Sequence, residues 1–457
     1  MLIKGKIPCA LTIAGSDSGG GAGIQADLKT FAALGVHGMS AITAITAQNT
    51  VEVMAVHPVP PEIVKQQIEA VATDIGVDAA KTGMLYSTEI IKVVVEEVKT
   101  HGFPVVVDPV MIAKSGASLL REDAKRTLIN ELIPLATVVT PNAMEAQEIT
   151  GIKIQDIKDA ELAARKIAEL GAKSVVVKGG HILQGGKAVD VLYHDGKYHY
   201  FESERLESKT THGTGCSFAA AIAAELAKGK NIPEAVEIAK KIVNMGIKFG
   251  LNIGRGFGPV NPMAELYKEA SKYKILKNVK EAIKILEDNS EVSSLVPEVR
   301  MNLVMALPYA ETLDDVVGVD GRITIVNGRA KAAACPEFGV SRHLAKYVLT
   351  AMKYDSSIRA AINIRYSLDI LNICKKLGLS VSFYDRRKEP EEIKKIEGMS
   401  VPWGVEQAIR NIGKVPNVIY HEGDWGKEPM IVLLGENAIN VAKLAIKIAK
   451  NLAKFLK

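Results

Sequence analysis

The feature that most restricts the fold is a regular alternation of two kinds of segment between Ile7 and about Gly250. Short runs rich in β-branched residues alternate with longer stretches in which apolar residues recur at helical spacing. This order is expected of βαβ units, which build a largely parallel sheet. We therefore predict an α/β fold with a doubly wound, mostly parallel sheet. The predicted strands are CALTIAG, MSAITAIT, DAAKTGM, PVVVDPV, TVVT and SVVVKGG.

Two further elements follow these strands. The segment AVDVLYHDGKYHYFES alternates around Asp195-Gly196, a dipeptide typical of hairpin turns, and CSFAAAIAAELAKG predicts a long apolar helix. In open α/β sheets, ligands bind beyond the carboxyl ends of the strands, so we expect a site there. The residues that directly follow predicted strands are Asp108, Asn142, Glu145 and the Gly179-Gly180 pair.

A second domain is expected, because 457 residues exceed the size at which one core usually keeps growing. The Gly- and Pro-rich run IGRGFGPVNP ends the helical pattern, so we place the first domain at 1–265. A helical linker is predicted over 266–296 and a second α/β domain over 297–457, with strands in RITIVNG and SVSFYDR. One face of the linker helix carries Val279, Ala282, Ile283 and Leu286.

Composition argues against several classes of protein. The net charge of +5 is small and the charges are interspersed, which gives no support for nucleic-acid binding. The four cysteines form no CxxC pair, so neither a zinc site nor a disulfide framework is indicated, and reduced thiols fit a cytosol. No export signal or membrane span is evident at the start. We expect a cytoplasmic homo-oligomer with small-molecule substrates, and neither nucleic acid nor membrane as a partner.

Two glycine-rich segments are candidates for phosphate binding. The first, AGSDSGGGAGIQADLKT, lacks the ending of a P-loop and the spacing of a dinucleotide fingerprint, so a tight strand-to-helix turn is the simpler interpretation. The second, THGTGCSFAAAI, opens the apolar helix with Gly213, Thr214, Gly215 and Cys216. Free amide donors there suit an anion whose charge grows during phosphoryl transfer.

Cys216 has two interpretations. The field of the helix start favours a thiolate, which would act as a base toward a substrate hydroxyl. A small packing residue is the commoner role of a single cysteine.

Six motifs occur in order: AGSDSGGGAGIQADLKT, TAQNT, VVDPVM, TPNAMEA, VVVKGGH and THGTGCS. Together they resemble the hydroxymethylpyrimidine kinases of the ribokinase-like fold, over nearly all of residues 7–262. The resemblance implies two ATP-dependent phosphorylations at one site, first of the hydroxymethyl group and then of the monoester, with ATP and Mg²⁺ as cofactors. Because some pyridoxal kinases also carry a cysteine at the position of Cys216, a vitamin B6 kinase is the alternative.

The resemblance also implies residue roles. Asp27 and Gln48 would hold the aminopyrimidine through paired donors and acceptors, inside a pocket formed by Gly15, Met84 and Val110. Ordinary core packing is an equally good interpretation of Val110 alone. The remaining implied residues are Gly213, Gly215 and Cys216 for catalysis, Asp108 and Glu145 for Mg²⁺, and Asn142, Lys178 and Thr214 for the nucleotide.

The C-terminal part contains a second set of cationic motifs. A Gly-Arg turn with Arg322 and a Ser-Arg-His triplet, Ser341 to His343, suit phosphate groups, because guanidinium pairs with phosphate oxygens in a forked geometry. For any one of these charges a solvated surface position is the simpler interpretation. The further candidates are Arg342, Asn363, Asp385, Arg386, Trp403 and Lys427.

As a set, these segments resemble the thiamine-phosphate synthase domain that follows many archaeal pyrimidine kinases, from about Pro297 to the end. That family joins the pyrimidine diphosphate to thiazole phosphate and releases pyrophosphate. The resemblance makes Arg322 and His343 the expected catalytic residues. Similar domains also serve as ligand sensors on DNA-binding segments, so a non-catalytic sensor of thiamine phosphate is the alternative. The attached kinase favours the enzyme.

Overall fold

The computed structural model describes residues 7–111, 120–180, 183–184, 186–424 and 426–455. The chain divides into two compact units, Met1–Leu266 and Tyr267–Lys457. Each unit has its own sheet and its own hydrophobic core. His181 and Trp425, which belong to two of the sequence motifs, lie outside the described residues.

The first unit alternates strands and helices as its sequence predicts. Its strands are β1 (Cys9–Asp17), β2 (His37–Gln48), β3 (Val53–Pro58), β4 (Ala79–Thr82), β5 (Val105–Val107), β6 (Val138–Val139), β7 (Ser174–Val177), β8 (Leu183–Gln184), β9 (Lys187–His194) and β10 (Lys197–Glu204). Its helices are α1 (Gly23–Ala33), α2 (Pro61–Asp74), α3 (Thr88–His101), α4 (Glu122–Thr127), α5 (Ala143–Thr150), α6 (Ile157–Ala168), α7 (Thr214–Ala227) and α8 (Ile232–Lys248).

These strands form one sheet in the order β10-β9-β7-β6-β5-β4-β1-β2-β3, with β8 beside β9. The six strands from β7 to β2 in that order pair in parallel. Strands β3, β8, β9 and β10 are antiparallel to their neighbours. The prediction of a mostly parallel, doubly wound sheet is therefore confirmed.

The sheet is buried on both faces, because successive side chains of a strand point in opposite directions. In β5, Val105 and Val107 pack into one core with α2, α3 and α6, whereas Val106 packs into the other with α7 and α8. The predicted hairpin is also present, since β9 and β10 turn at Asp195 and Gly196, both with positive φ. The parallel strands bring their carboxyl ends to one edge, where the candidate site lies.

The second unit is also an α/β structure. Its helices are α9 (Ala264–Glu287), α10 (His343–Met352), α11 (Leu368–Lys376), α12 (Glu391–Lys394), α13 (Ser400–Ile412) and α14 (Ala438–Phe455). Its strands are β11 (Leu303–Ala306), β12 (Val316–Val319), β13 (Ile323–Val326), β14 (Arg329–Ala332), β15 (Pro336–Phe338), β16 (Ala360–Arg365), β17 (Val381–Phe383), β18 (Val418–His421) and β19 (Met430–Gly435).

The main sheet of this unit has the order β15-β12-β11-β16-β19-β18-β17. All of its pairs are antiparallel except β17–β18, and β13 and β14 form a separate hairpin. Helices cover both faces. Leu303 and Met305 of β11 pack into the core that includes α9, α11 and α14, and Val304 and Ala306 into the core that includes α10 and α13.

The segment predicted as a linker is part of the second unit's core. Val279, Ala282 and Leu286 of α9 are fully buried, as is Leu295 in the short 3₁₀ turn that follows. They pack with residues of β11, β16 and α14. The amphipathic pattern was interpreted correctly as a helix, but its apolar face is covered within the second unit, because that face completes one side of the antiparallel sheet.

Candidate active sites

The first site is built around the start of α7. Gly213 is its N-cap residue in the left-handed conformation, with φ of 80°. A Cβ atom on Gly213 would lie 1.8 Å from the carbonyl oxygen of Gly21, so the two glycine-rich loops of the sequence touch here and only glycine fits. The first backbone N–H groups of a helix carry partial positive charge, which makes this contact a place for an anion.

A carboxylate fixes the first of these loops. Asp17 accepts hydrogen bonds from the backbone N–H groups of Gly19, Gly21 and Ala22 at 2.8 to 3.0 Å, and His212 Nε2 lies 2.9 Å from its Oδ2. Burial raises the pKa of Asp17, but His212 and the N–H donors lower it by more, so the net pKa is below its usual value. Sequence reasoning missed both Asp17 and His212, although each lies inside a glycine-rich motif.

Gln48 lies beside this loop, at the end of β2. Its Nε2 is 3.3 Å from His212 Nε2, and its Oε1 is 3.4 Å from the hydroxyl of Thr46. The side chain is half-buried, which leaves it accessible to a ligand. Through its contact with His212, Gln48 lies beside the start of α7.

Asp27, the other residue predicted to hold the pyrimidine, already has partners within the protein. It is fully buried in α1, where its Oδ2 accepts from Thr12 Oγ1 at 2.7 Å and from Lys81 Nζ at 2.8 Å. The other carboxylate oxygen of Asp27, Oδ1, is buried and has no hydrogen-bond partner among the described residues. Burial raises the pKa of Asp27 more than Lys81 lowers it. Burial lowers the pKa of Lys81, but Asp27, Cys216 and Asp108 raise it by more. Because two donors converge on Oδ2, we treat the contact as an ion pair.

Cys216 differs from the expectation of a thiolate. Burial raises the pKa of its thiol to about 11, and Lys81, which lowers it, does not offset burial. The Gly23 N–H also favours the anion but is a smaller effect. A neutral thiol at pH 7 follows. The prediction considered the helix start and omitted the cost of desolvating sulfur, which here is larger.

On the other side of the α7 start lies a carboxylate–lysine pair. Lys178 Nζ donates to Asp108 Oδ1 at 2.9 Å, and Thr140 Oγ1 donates to the same atom at 3.1 Å. A Cβ atom on Gly215 would lie 3.3 Å from Lys178 Nζ and 3.5 Å from Asp108 Oδ2. Burial raises the pKa of Glu145, and Lys178 lowers it by less. Burial lowers the pKa of Lys178, but Asp108 and Glu145 raise it by more, so the net pKa of Lys178 is above its usual value. The predicted phosphate and metal residues thus come together.

Asn142 caps the start of helix α5, whether or not it also binds a ligand. Its Oδ1 accepts from the backbone N–H of Glu145 at 2.9 Å, and its own N–H donates to Glu145 Oε2 at 2.8 Å. These two bonds form a capping box at the start of α5. The predicted Asn142–Glu145 pair is therefore explained in part by helix capping.

The other predicted pocket residues surround the same edge. A Cβ atom on Gly15 would lie 3.4 Å from Met84 Sδ, so these two are neighbours. Val110 is half-buried and follows β5 within three residues. The hydroxyl of Thr214 donates to the backbone carbonyl of Thr211 at 2.7 Å, so it is already engaged.

The residues of this site fit a divalent cation only in part. Among the described residues, three or more His, Cys, Asp or Glu side chains do not gather into a metal site. Asp108 and Glu145 offer carboxylate oxygens, which Mg²⁺ prefers, but a complete shell needs water and phosphate oxygens. The two carboxylates therefore fit a cation whose remaining ligands are water and the phosphate oxygens of a bound nucleotide.

The second site is a group of cations around His343, at the start of α10. Burial, followed by Arg386, Arg322, Lys346 and Lys427, lowers the pKa of His343 to about 4. The side chain keeps an exposed surface, and the imidazole is neutral at pH 7. Three residues that the sequence also singled out, Arg322, Arg386 and Lys427, therefore lie near enough to His343 to act on its pKa. Lys346, one helical turn after His343, was missed.

Arg322 occupies a strained turn. Both Gly321 and Arg322 have positive φ, 66° and 70°, and an arginine rarely adopts this conformation. The guanidinium donates to the carbonyl oxygen of Val299. The side chain is exposed, which leaves it accessible to an anionic ligand.

Two residues predicted to bind phosphate are engaged elsewhere. Asn363 accepts from the backbone N–H of Asn302 at 2.7 Å and donates to the carbonyl oxygen of Arg300 at 3.0 Å, so it holds neighbouring backbone in place. Asp385 pairs with Arg387 through both oxygens at 2.9 and 3.0 Å. Its negative charge is unsuited to a phosphate.

The remaining residues predicted in this unit lie in three different environments. Ser341 is buried against β12, since a Cβ atom on Gly318 would lie 2.8 Å from its Cβ. Arg342 is exposed at the N-cap of α10. Trp403 packs edge-on against Tyr384.

Sequence reasoning missed His421, which is 1% exposed and lies on β18.

The parallel sheet, the anion-binding start of α7 and the carboxylate–lysine pair define the first unit as a small-molecule kinase of the ribokinase-like class. The phosphomethylpyrimidine kinase model matches residues 17–261, and that of the thiamine-phosphate synthase ThiN matches 278–447. The chain belongs to the phosphomethylpyrimidine kinase family and carries a thiamine-phosphate synthase domain after it. Both resemblances seen in the sequence are confirmed, and the chain is a bifunctional enzyme of thiamine biosynthesis.

Two relatives illustrate the match. The chain is 49% identical over 256 residues to the hydroxymethylpyrimidine/phosphomethylpyrimidine kinase of Bacillus subtilis, which covers 56% of this chain and 94% of that one. It is 50% identical over 252 residues to the thiamine biosynthesis bifunctional protein ThiED of Geobacter sulfurreducens, which covers 55% of this chain and 51% of that one. Only about half of the second relative is therefore matched.

Solved structures show the same fold. An ADP complex of Bacillus subtilis pyridoxal kinase matches with a TM-score of 0.54 and 42% identity, over 57% of this chain and 99% of that one. The pyridoxal kinase of Staphylococcus aureus with AMP-PCP and pyridoxal matches with a TM-score of 0.53 and 40% identity, over 57% and 95%. Use of ATP follows from the kinase family. Among the described helices, none is long and apolar enough to cross a membrane.

Proposed function

We propose that the first unit phosphorylates 4-amino-5-hydroxymethyl-2-methylpyrimidine and then its monophosphate, and that the second unit joins the resulting diphosphate to thiazole phosphate. The single observation that carries the kinase assignment is the start of α7. Three features lie at this helix start. They are the contact between the two glycine-rich loops, the Cys216 thiol whose pKa Lys81 lowers, and the Asp108–Lys178 ion pair. We propose a first domain over 1–265 and a second domain that includes the predicted linker 266–296 together with 297–457, because α9 packs in the second unit's core. We propose the cytoplasm as its location and a homo-oligomer as its assembly.

In the first unit, the substrate hydroxyl oxygen attacks the γ-phosphorus of ATP, and the bond to the β–γ bridging oxygen breaks. ADP leaves with the electron pair, and the hydroxyl proton is lost to the phosphoryl product or to water. The amides of Gly213 and Gly215 stabilise the transferred group, and Lys178 neutralises phosphate charge. Because such transfer depends mainly on positioning and charge stabilisation, Cys216 orients the hydroxyl without being a strong base.

Mg²⁺ would be held by Asp108 and Glu145 and would neutralise charge on the β- and γ-phosphate oxygens. Asp108 keeps its Oδ1 on Lys178, so Oδ2 is the atom that faces the start of α7. Glu145 has one oxygen in the capping box and one left for a ligand. Gln48, Asp27, Gly15, Met84 and Val110 would surround the pyrimidine.

In the second unit, the thiazole nitrogen forms a bond to the methylene carbon of the pyrimidine while the carbon–oxygen bond to the diphosphate breaks. Pyrophosphate leaves with the electron pair. Arg322 and Lys427 neutralise the leaving charge, and neutral His343 donates a hydrogen bond to it.

The deciding experiment incubates the full chain with the hydroxymethylpyrimidine, thiazole phosphate and MgATP, and measures both pyrimidine phosphates and thiamine phosphate. All three products are expected. Absence of both pyrimidine phosphates would overturn the kinase assignment. Formation of the diphosphate without thiamine phosphate would make the second unit a sensor.

Cys216→Ala tests the role of the thiol. If Cys216 only orients the hydroxyl, kcat falls about tenfold or less and pyrimidine binding is retained. A fall of a thousandfold or more would instead make it the base.

A second activity is favoured by one observation. The two pyridoxal kinases above match the first unit at 40 to 42% identity. Comparing kcat/KM for pyridoxal and for the hydroxymethylpyrimidine decides between a side activity and the main one.

A further inference from the structure

The second unit buries a histidine whose proton can be assigned. His421 is 1% exposed, and its Nδ1 accepts a hydrogen bond from the backbone N–H of Gly423 at 3.2 Å. A ring nitrogen that accepts from an N–H carries no proton itself, so the proton of the neutral ring is on Nε2. Burial, followed by Arg386, lowers the pKa of His421 to about 3, which keeps the ring neutral at pH 7.

The Nε2–H group has no acceptor. Within the part of the chain that the structure describes, His421 Nε2 is buried without a hydrogen-bond partner. A buried donor that has lost its water without gaining a partner is costly, and native proteins contain few of them. Among the described residues nothing supplies this acceptor, so a buried water or a ligand is the candidate to do so.

A buried cation lies close by and also lacks a partner. Arg386 is 8% exposed, and no carboxylate among the described residues is within ion-pair distance of it. Its neighbour Arg387 is exposed and paired with Asp385. Glu389 is also buried and, like Arg386, acts on the pKa of Tyr384, but among the described residues no ion pair joins it to Arg386. A buried arginine without a counter-ion is rare, because desolvation of the charge is left uncompensated.

The two unpartnered groups share one environment. Arg386 is the charged group with the largest effect on the pKa of both His421 and His343. The ring of Tyr384 lies 5.2 Å from that of His421, and its hydroxyl bonds that of Tyr347 at 2.7 Å. The Tyr347 ring is 5.8 Å from that of His343. A pair of buried tyrosines thus links the two histidines, and Arg386 lies near enough to act on the pKa of both.

We propose that the Arg386 guanidinium and the His421 Nε2–H together bind a phosphoryl group, either of an organic diphosphate or of inorganic pyrophosphate. The Arg386 guanidinium offers only donors, and the one acceptor of His421, Nδ1, is already occupied by the Gly423 N–H, so the missing group is an acceptor, and the charge of Arg386 favours a negative one. A guanidinium takes two phosphate oxygens and the imidazole a third. The inference rests on the proposed synthase reaction and adds His421 to it as a diphosphate-binding residue.

Titration calorimetry of the full chain with inorganic pyrophosphate tests this. Any binding at the kinase site is common to all variants, so the difference from wild type is the readout. Arg386→Met should weaken one Kd about tenfold to a hundredfold, and His421→Phe about tenfold. His421→Gln keeps an N–H donor near the Nε2 position and should stay within about threefold. Arg387→Met is the matched control and should bind as wild type does.

Several results would overturn the proposal. Wild-type affinity in His421→Phe would mean that a buried water satisfies Nε2–H. An equal loss in Arg386→Met and Arg387→Met would mean a general effect of charge. Equal weakening of inorganic phosphate and pyrophosphate would assign the site to a monophosphate group and reject the diphosphate.

A measurement on the wild-type protein avoids variants that fail to fold. In ¹⁵N-histidine-labelled protein, a protonated Nε2 and an unprotonated Nδ1 are expected for His421, and pyrophosphate should shift the Nε2–H signal. No shift at saturation would contradict the inference. If the wild type makes no thiamine phosphate but binding still depends on Arg386 and His421, the proposed reaction fails and the site stands. If thiamine phosphate forms and His421→Phe binds normally, only this inference fails.

Discussion

The two candidate sites bury charge in opposite ways. In the first unit, Lys81 and Asp27 are both fully buried and 2.8 Å apart, and Lys178 pairs with Asp108 at 2.9 Å. In the second unit, Arg386 is buried without a carboxylate partner among the described residues, and His421 is neutral. The first site is balanced before any ligand binds, whereas the second has excess positive charge. An anion should therefore stabilise the second unit more strongly than the first.

Removing one charge of the Lys81–Asp27 ion pair should have the largest effect on stability. Lys81→Met leaves the carboxylate of Asp27 buried and unpaired, so we expect the free energy of unfolding of the first unit to fall by about 3–5 kcal/mol. Denaturant unfolding measures this.

The double variant Lys81→Met/Asp27→Asn is the control, because it removes both charges. It should be more stable than Lys81→Met alone, since the two residues are in direct contact. If the double variant loses as much free energy of unfolding as the two single variants combined, the charges of Lys81 and Asp27 do not stabilise each other.

The second prediction concerns Arg322 and the neutral His343 of the other site. Arg322→Ala and His343→Ala should each slow thiamine phosphate formation about a hundredfold to a thousandfold, because each removes a preorganised contact to a developing anion. The pyrimidine diphosphate should still accumulate. Rates are measured with thermal melts alongside. A fall of less than tenfold in both would remove the two residues from the catalytic list.

The fold was largely predictable because one-dimensional periodicity determines it. The strands of the first unit are apolar runs whose alternate residues face two different helical layers, as in β5, so strand and helix could be told apart by period alone. The covering of α9 was not predictable. Its apolar face is visible in Val279 and Leu286, but which partner covers that face depends on tertiary packing.

Site residues that belong to a sequence motif could be predicted. Site residues whose role depends on how the chain packs around them could not. Gly215 and Lys178 belong to motifs, and the structure brings them together at the start of α7. Lys81 and His421 are single polar residues in buried strands, and their importance comes from what surrounds them. For Cys216 the sequence shows the helix start but not the depth of burial, which decides the pKa of its thiol.

The third prediction uses pH to separate the two units. The pKa of His421 is lowered from 6.5 to about 3 in the folded protein, so the unfolded chain binds a proton that the folded one rejects. Stability from this residue is complete above pH 6.5 and is lost as the pH falls. Between pH 6.5 and 5 the loss should be about 2 kcal/mol, which pH-dependent unfolding measures.

His421→Gln is the control for this effect, because it cannot titrate. Its second unit should show a weaker pH dependence over the same interval. An unchanged slope would place the acid sensitivity on other groups and would weaken the contrast between the units.

The smallest effect tests whether Asn142 belongs to the balanced charge network or only to the helix. Asn142→Ala removes the N-cap and should lower the free energy of unfolding by about 1 kcal/mol, with no change in the Mg²⁺ concentration needed for half-maximal kinase activity. Glu145→Gln keeps an oxygen for the capping box but loses the charge, so it should raise the Mg²⁺ requirement at nearly unchanged stability. Denaturant unfolding and Mg²⁺ titration of kinase activity measure the two effects. A raised Mg²⁺ requirement in Asn142→Ala at wild-type stability would instead assign the amide to the nucleotide or its metal, as the sequence predicted.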